Sequence, residues 1–154
     1  MSIEPSTGAL CFDGGVRLEP STTRSAFLLS ALAEKAASRQ EWAPAWFSCS
    51  LVAPMGNESW RLFLTFEAER LHDIRLALTT EATWESWSES AELAMQAKYS
   101  GWLDETLGST RRDFPWGSVG AVFDRRAGSS WISVRYASVR EAEGGAEFSA
   151  NALT

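Results

Sequence analysis

Between residues 45 and 79, apolar and polar positions alternate with a period near two. In "AWFSCSLVA" (45–53), Phe47, Cys49 and Leu51 share one face, while Trp46, Ser48, Ser50 and Val52 share the other, as in a strand. "SWRLFLTFE" (59–67) is apolar on both parities and predicts a central strand covered in part on both faces. "LHDIRLALT" (71–79) points Ile74, Leu76 and Leu78 one way. The connections, "PMGNE" (54–58) and "AER" (68–70), are short, so the three strands predict an antiparallel meander.

On either side of this block the period lengthens. "TRSAFLLSALAEKAAS" (23–38) predicts a helix capped by Ser21 or Thr22, with Phe27, Leu28, Ala31 and Leu32 as its apolar stripe. "EATWESWSESAELAMQAKYSGWLDETL" (81–107) predicts a longer one. At about 100° per residue, Trp84, Trp87, Ala91, Ala94, Met95 and Trp102 fall in one band, with Lys98 snorkelling out of it. Gly101 weakens that helix by about 1 kcal/mol relative to Ala, and Gly108 stands where a left-handed cap is expected.

Two hairpins close the pattern. Near the start, "ALCF" (9–12) and "VRLEP" flank Asp13-Gly14-Gly15, a tight-turn signal. Near the end, Val119, Ala121 and Phe123 alternate before the turn Asp124–Gly128, and Ile132, Val134 and Tyr136 alternate after it. The expected order is ββα-βββα-ββ. It describes an α+β fold in which an antiparallel sheet of about seven strands carries two helices packed on one face. Residues 1–137 read as a single domain, and 138–154, which lose all periodicity, as a loose C-terminal tail.

Composition narrows the function classes. The 154 residues suit one core, and eight Trp with eight Phe promise large rings in it or at an interface. No apolar run approaches a membrane span, and "MSIEPSTGAL" has neither a basic segment nor an apolar signal core, so a cytoplasmic protein is expected. A net charge of −6 argues against nucleic acid and favours a basic protein partner. Cys11 and Cys49 read as reduced core residues.

Candidate chemistry is sparse. With His72 the only histidine and two cysteines, no multi-His or zinc set can be assembled, and no P-loop, G-x-G-x-x-G or G-x-S-x-G occurs. No catalytic residue, metal or cofactor is therefore expected. His72 shares parity with Ile74 and Leu76 and reads as a partly buried structural imidazole. A small hydrolase or transferase built on Asp73, Asp113 and Asp124 would need two of these brought together with His72. Asn57-Glu58-Ser59 matches a glycosylation sequon and reads as a turn.

Charge patterning says more. Glu81, Glu85, Glu89, Glu92, Asp104 and Glu105 face Lys98 alone between residues 80 and 107. A solvated helix face is the ordinary reading. Yet 81/85 and 85/89 repel at i, i+4 spacing, and Asp104 and Glu105 oppose the macrodipole, so a docking surface for a basic protein is the alternative. Glu85, Glu89, Glu92 and Asp104 are its candidate residues, with Arg125 and Arg126 at the hairpin tip as a secondary contact.

Four segments, "LEPSTTRSAFLLSAL" (18–32), "RLFLTFEAERLHDIRLAL" (61–78), "WESWSESAELAMQAKYSGWLDETLG" (84–108) and "WGSVGAVFDRRAGSSWISVRY" (116–136), cover about half the chain. In that order they resemble small bacterial α+β proteins, some of which are similar to immunity proteins of polymorphic or contact-delivered toxin systems. The resemblance implies a scaffold and no catalytic residues. It leads to the expectation of a non-enzymatic cytoplasmic immunity protein that binds and blocks a toxin. Small acidic chains with this element order also resemble secretion chaperones that bind exported effectors as dimers. On that alternative the long Trp-rich helix would be a homodimer interface.

Overall fold

The computed structural model describes residues 1–13, 15–55, 57–79 and 85–137. Three two-residue strands, β1 (Ser2–Ile3), β2 (Leu10–Cys11) and β3 (Arg17–Leu18), form a small antiparallel sheet. The expected hairpin is therefore present, joined by a strand from the N-terminus. Ile3, Leu10 and Leu18 are the buried members of the three strands.

The next segment departs from expectation. Instead of one helix over 23–38 there are two short ones, α1 (Arg24–Leu28) and α2 (Ala31–Glu34), followed by a strand, β4 (Ala36–Ala43). The reason lies in two hydroxyls seven residues apart. Thr23 caps α1 by accepting from the Ala26 amide. Ser30, in extended backbone at φ −85° and ψ 155°, caps α2 by accepting from the Ala33 amide. Its own hydroxyl donates to the Phe27 carbonyl at 2.6 Å and closes α1. Each cap satisfies groups that a continuous helix would have paired along its axis.

The meander follows as β5 (Trp46–Met55), β6 (Glu58–Glu67) and β7 (Arg70–Leu78), close to its expected bounds. After α3 (Glu89–Leu107) come β8 (Asp113–Phe114), β9 (Gly117–Asp124) and β10 (Ser129–Tyr136). The fold is α+β, with a seven-stranded antiparallel sheet in the order β4-β5-β6-β7-β10-β9-β8. Its seven strands are not the seven expected. The N-terminal pair belongs to the small sheet, and β4 and β8 complete the large one. The segment 138–154 read as a tail lies outside the described residues, as does Trp84.

One face of the large sheet is the core. Leu51 of β5, Leu62 of β6, Leu76 of β7 and Ile132 of β10 lie in one register row and are fully buried. Phe27 of α1 packs on Phe66, and Tyr99 of α3 packs on Trp60, both from β6. The α3 stripe that does this matches the expected one only in part: Met95 and Trp102 pack against the core as expected. Tyr99, Leu103 and Leu107 are its buried residues, whereas Trp87 is 41 % exposed and Ala91 and Ala94 are exposed. A 19-residue helix capped by Ser88 and starting at Glu89 turns about Tyr99 and Leu103, which the rings of Trp84 and Trp87 concealed in the sequence. Gly101 is exposed within an unbroken helix, and Gly108 adopts φ 64° as the left-handed cap.

The WG step entering β9 locks the small sheet to the large one. Trp116 donates from Nε1 to the Pro5 carbonyl at 2.9 Å, and its ring lies over Gly8. Tyr136 donates its hydroxyl to the Gly8 carbonyl at 3.0 Å. Gly117, at φ 142°, leaves no room for a Cβ beside the Arg135 carbonyl.

Candidate functional site

The acidic helix is shorter and better compensated than its sequence implied. Because α3 begins at Glu89, Glu85 precedes it and Glu81 lies outside the described residues. Glu89 and Glu92 thus occupy the first turn, where the helix dipole favours anions. Glu89 pairs with Arg125 at 3.0 Å. Asp104 pairs with Arg112, whose guanidinium also donates to the Ser100 and Ser109 carbonyls near the helix end. Lys98 reaches Glu58 of β6 at 3.0 Å. Among the described residues, Glu85, Glu92 and Glu105 have no ion pair.

The tip of the β9–β10 hairpin is a structural turn. Asp124 accepts from the amides of Arg126 and Ala127, and Gly128 takes φ 60°. Trp87 closes over it, donating from Nε1 to the Gly128 carbonyl at 2.7 Å. Ser130 donates to the Glu92 carbonyl at 2.8 Å. Arg125 and Arg126 are exposed at the tip, so the structure joins two of the proposed contact residues, Glu89 and Arg125, to each other.

The opposite, outer face of the large sheet is chemically richer. Its first register row reads Gln40, Ser48, Thr65, Asp73, Arg135 and Ser118 from β4 to β9. The next reads Ser38, Ser50, Phe63, Arg75, Ser133 and Gly120. Two clefts lie on this face. One, of about 440 Å³, has Trp42, Trp46 and His72 along one side, Phe63 and Arg75 among its other residues, and the buried Ser48, Thr65 and Asp73. The other, of about 330 Å³, is lined by Arg61, Phe63, Arg75, Ala77 and Trp131 and reaches the hairpin turn. Phe63 and Arg75 belong to both. The Arg75 guanidinium lies 5.8 Å from the Phe63 ring centroid and 5.3 Å from that of Trp131.

His72 does not keep the parity expected of it. Thr65 pairs with Asp73 but Phe66 pairs with Leu71, so His72 is the extra residue of a β-bulge and is turned toward Trp46 on the outer face. Its ring meets Trp46 edge-on at 5.1 Å and remains partly buried, 33 % exposed. Nδ1 is buried without a hydrogen-bond partner, 3.9 Å from Asp73 Oδ2. Of the three candidate aspartates, Asp73 is brought to His72. Asp113 sits on β8, and Asp124 is engaged by turn amides.

Among the described residues, no three His, Cys, Asp or Glu side chains converge as metal ligands, and no helix is long and apolar enough to cross a membrane. Cys11 and Cys49 are free thiols. No family model, curated protein or solved structure matches the chain.

Sequence reasoning gave Trp46, Ser48 and Ser50 a common face but did not single out Phe63, Arg75, Trp131 and Arg135. One signal was present: the apolar character of 59–67 on both parities, which put Phe63 opposite Leu62 and Leu64. The pairing of β7 with β10, which brings Arg75 beside Trp131, joins segments about sixty residues apart and leaves no local trace.

Proposed function

We propose that this chain is a non-enzymatic interaction protein, an immunity protein that binds a bacterial toxin and blocks it in the cytoplasm of the producing cell. The observation carrying a binding role is the outer sheet face, where Trp42 is 54 % exposed and Val52 40 % exposed beside Phe63, Trp131 and three arginines. Tryptophan and arginine are the residues that most often dominate protein interfaces. The immunity assignment draws further support from the resembling segments and from the acidic flank of α3. There Glu85, Glu89, Glu92 and Asp104 would meet a basic toxin domain, with Arg125 and Arg126 at its margin. The ion pair of Glu89 is a surface pair worth about 0–1 kcal/mol, so a partner can exchange it at little cost.

The test is capture by the tagged chain from its source cells, washed at low and then high salt. Recovery of one basic toxin-domain protein, lost on changing Glu85, Glu89 and Glu92 together to Lys, is the expected result. Retention of that protein, and of cell protection, by the triple variant would remove the acidic-face assignment.

A secretion chaperone is the second reading, favoured by one feature: Leu93 of α3 and Trp87, just ahead of the helix, are 45 % and 41 % exposed, as an uncovered dimer face would be. Capture of several exported effectors by a chain eluting at twice its monomer mass would select it.

A further inference from the structure

We propose that the outer face of the large sheet, on which the binding role above rests, is a docking site separate from the acidic helix and takes an extended acidic segment that carries an aromatic side chain.

The two clefts define its shape. They meet at Phe63 and Arg75, so they form one trough from Trp42 on β4 to Trp131 on β10. Five successive strands at a spacing of about 4.8 Å make it about 20 Å long, the reach of roughly six extended residues. The trough has ring walls at Trp46, Phe63 and Trp131. Ser48 and Thr65 lie buried among its residues and form part of its floor.

Charge defines the occupant. In a chain of net charge −6, this face carries Arg61, Arg75 and Arg135, all exposed. The two carboxylates that line the clefts are already engaged: Asp73 accepts from Thr65 and lies 3.8 Å from Arg75 Nε, and Asp124 holds turn amides. Among the described residues, Arg61 and Arg135 have no ion pair. Guanidinium groups bind carboxylates through two parallel hydrogen bonds and also stack on rings. Arg75, close to both Phe63 and Trp131, presents a cation already ordered by its neighbours. The aromatic side chain of the segment then packs against Trp46 or Trp131. A second copy docking face to face would oppose like-charged arginines, which disfavours it as the occupant.

The test titrates the whole chain with fluorescein-labelled acidic hexapeptides in which one phenylalanine is walked along an aspartate–glutamate background. The matching lysine peptides serve as controls. Anisotropy should rise with the acidic set only, and the indole N–H resonances of Trp42, Trp46 and Trp131 should move while that of Trp102 stays. Arg75→Ala and Arg135→Ala should each weaken binding about tenfold. Arg75→Lys, which keeps the charge and the fold, should lose most of the same affinity because the fork is gone. The proposal is overturned by no binding of any acidic peptide at about 1 mM, by equal binding of the lysine set, or by shifts confined to α3. It is overturned equally by a wild-type dimer that Arg75→Glu converts to monomer, which would make a second copy the occupant.

Discussion

Glu89 at the start of α3 and Arg125 at the tip of the β9–β10 turn form an ion pair at 3.0 Å, joining the two surfaces that had the strongest charge signals in the sequence. Both side chains are well exposed, 48 % and 79 %, so solvent screens the pair. Glu89→Gln and Arg125→Ala should each change unfolding free energy by less than about 1 kcal/mol, as read by urea titration. A larger loss would mean that the pair fixes the helix against the hairpin, and partner-binding effects of either variant would then need a folding control.

Gly8 is a different kind of position. It adopts φ 73° beneath the Trp116 ring, and a Cβ there would overlap the indole. Gly8→Ala therefore combines left-handed strain with overpacking against a ring that also holds Pro5, and should destabilise by about 2–4 kcal/mol. Chemical denaturation followed by tryptophan fluorescence reads this directly. A loss below about 0.5 kcal/mol would show that Trp116 swings away and that the two sheets are loosely joined.

What the sequence disclosed follows from how local each feature is. Phe47, Cys49 and Leu51 announce β5 because a strand's faces are written in alternate residues. Gly108 announces the end of α3 because only a residue tolerant of positive φ caps a helix in that way. Strand β4 was illegible. "AASRQEWA" has little strand preference, and its conformation is imposed by pairing along β5 through Arg39 with Cys49 and Gln40 with Ser48. The outer-face site was illegible for the related reason that Arg75 and Trp131 come together only through the β7–β10 pairing. The bulge that turns His72 outward is set by the register of β6 against β7, which parity counting along one strand cannot contain.

Two turns carry strain that a single change can relieve. Ala45, between β4 and β5, has φ 72°, and Ala68, between β6 and β7, has φ 52°. A left-handed Ala costs about 1–2 kcal/mol, of which glycine returns part through its larger unfolded-state entropy. Ala45→Gly and Ala68→Gly should each raise stability by about 0.5–1 kcal/mol. Thermal unfolding checks this, and a lowered melting temperature in both would contradict the strain.

Stability at alkaline pH depends on two buried phenols. Burial pushes the Tyr136 hydroxyl well above the ordinary phenol range, with a smaller push from Glu19, and burial moves Tyr99 the same way. In the unfolded chain both titrate near pH 10. Below that pH both phenols keep their protons in either state, and their contribution to stability is fully present. Above it the unfolded chain ionises while the folded chain does not, so stability falls as pH rises toward the folded values. Tyr136→Phe should flatten that alkaline decline, while lowering the neutral plateau by about 1 kcal/mol for the lost bond to Gly8. An unchanged alkaline slope in the variant would assign the decline to other groups.

The two cysteines give a separate reading of how firmly the core is closed. Cys49 is fully buried on β5, and burial raises its thiol pKa, which lowers the thiolate fraction that attacks a labelling reagent. Cys11 on β2 is half-buried, its sulfur 3.7 Å from Arg17 Nη1. In native protein an aromatic disulfide reagent should therefore titrate Cys11 first. Cys49 should wait for opening of the sheet interior, and its rate should rise with urea as unfolding does. Because both thiols are free, a reducing agent should leave the melting temperature unchanged. Labelling of both at one rate in native conditions would show that β5 opens as readily as the small N-terminal sheet, and the packing of Phe47 and Leu51 beside Cys49 would not be what holds the core shut.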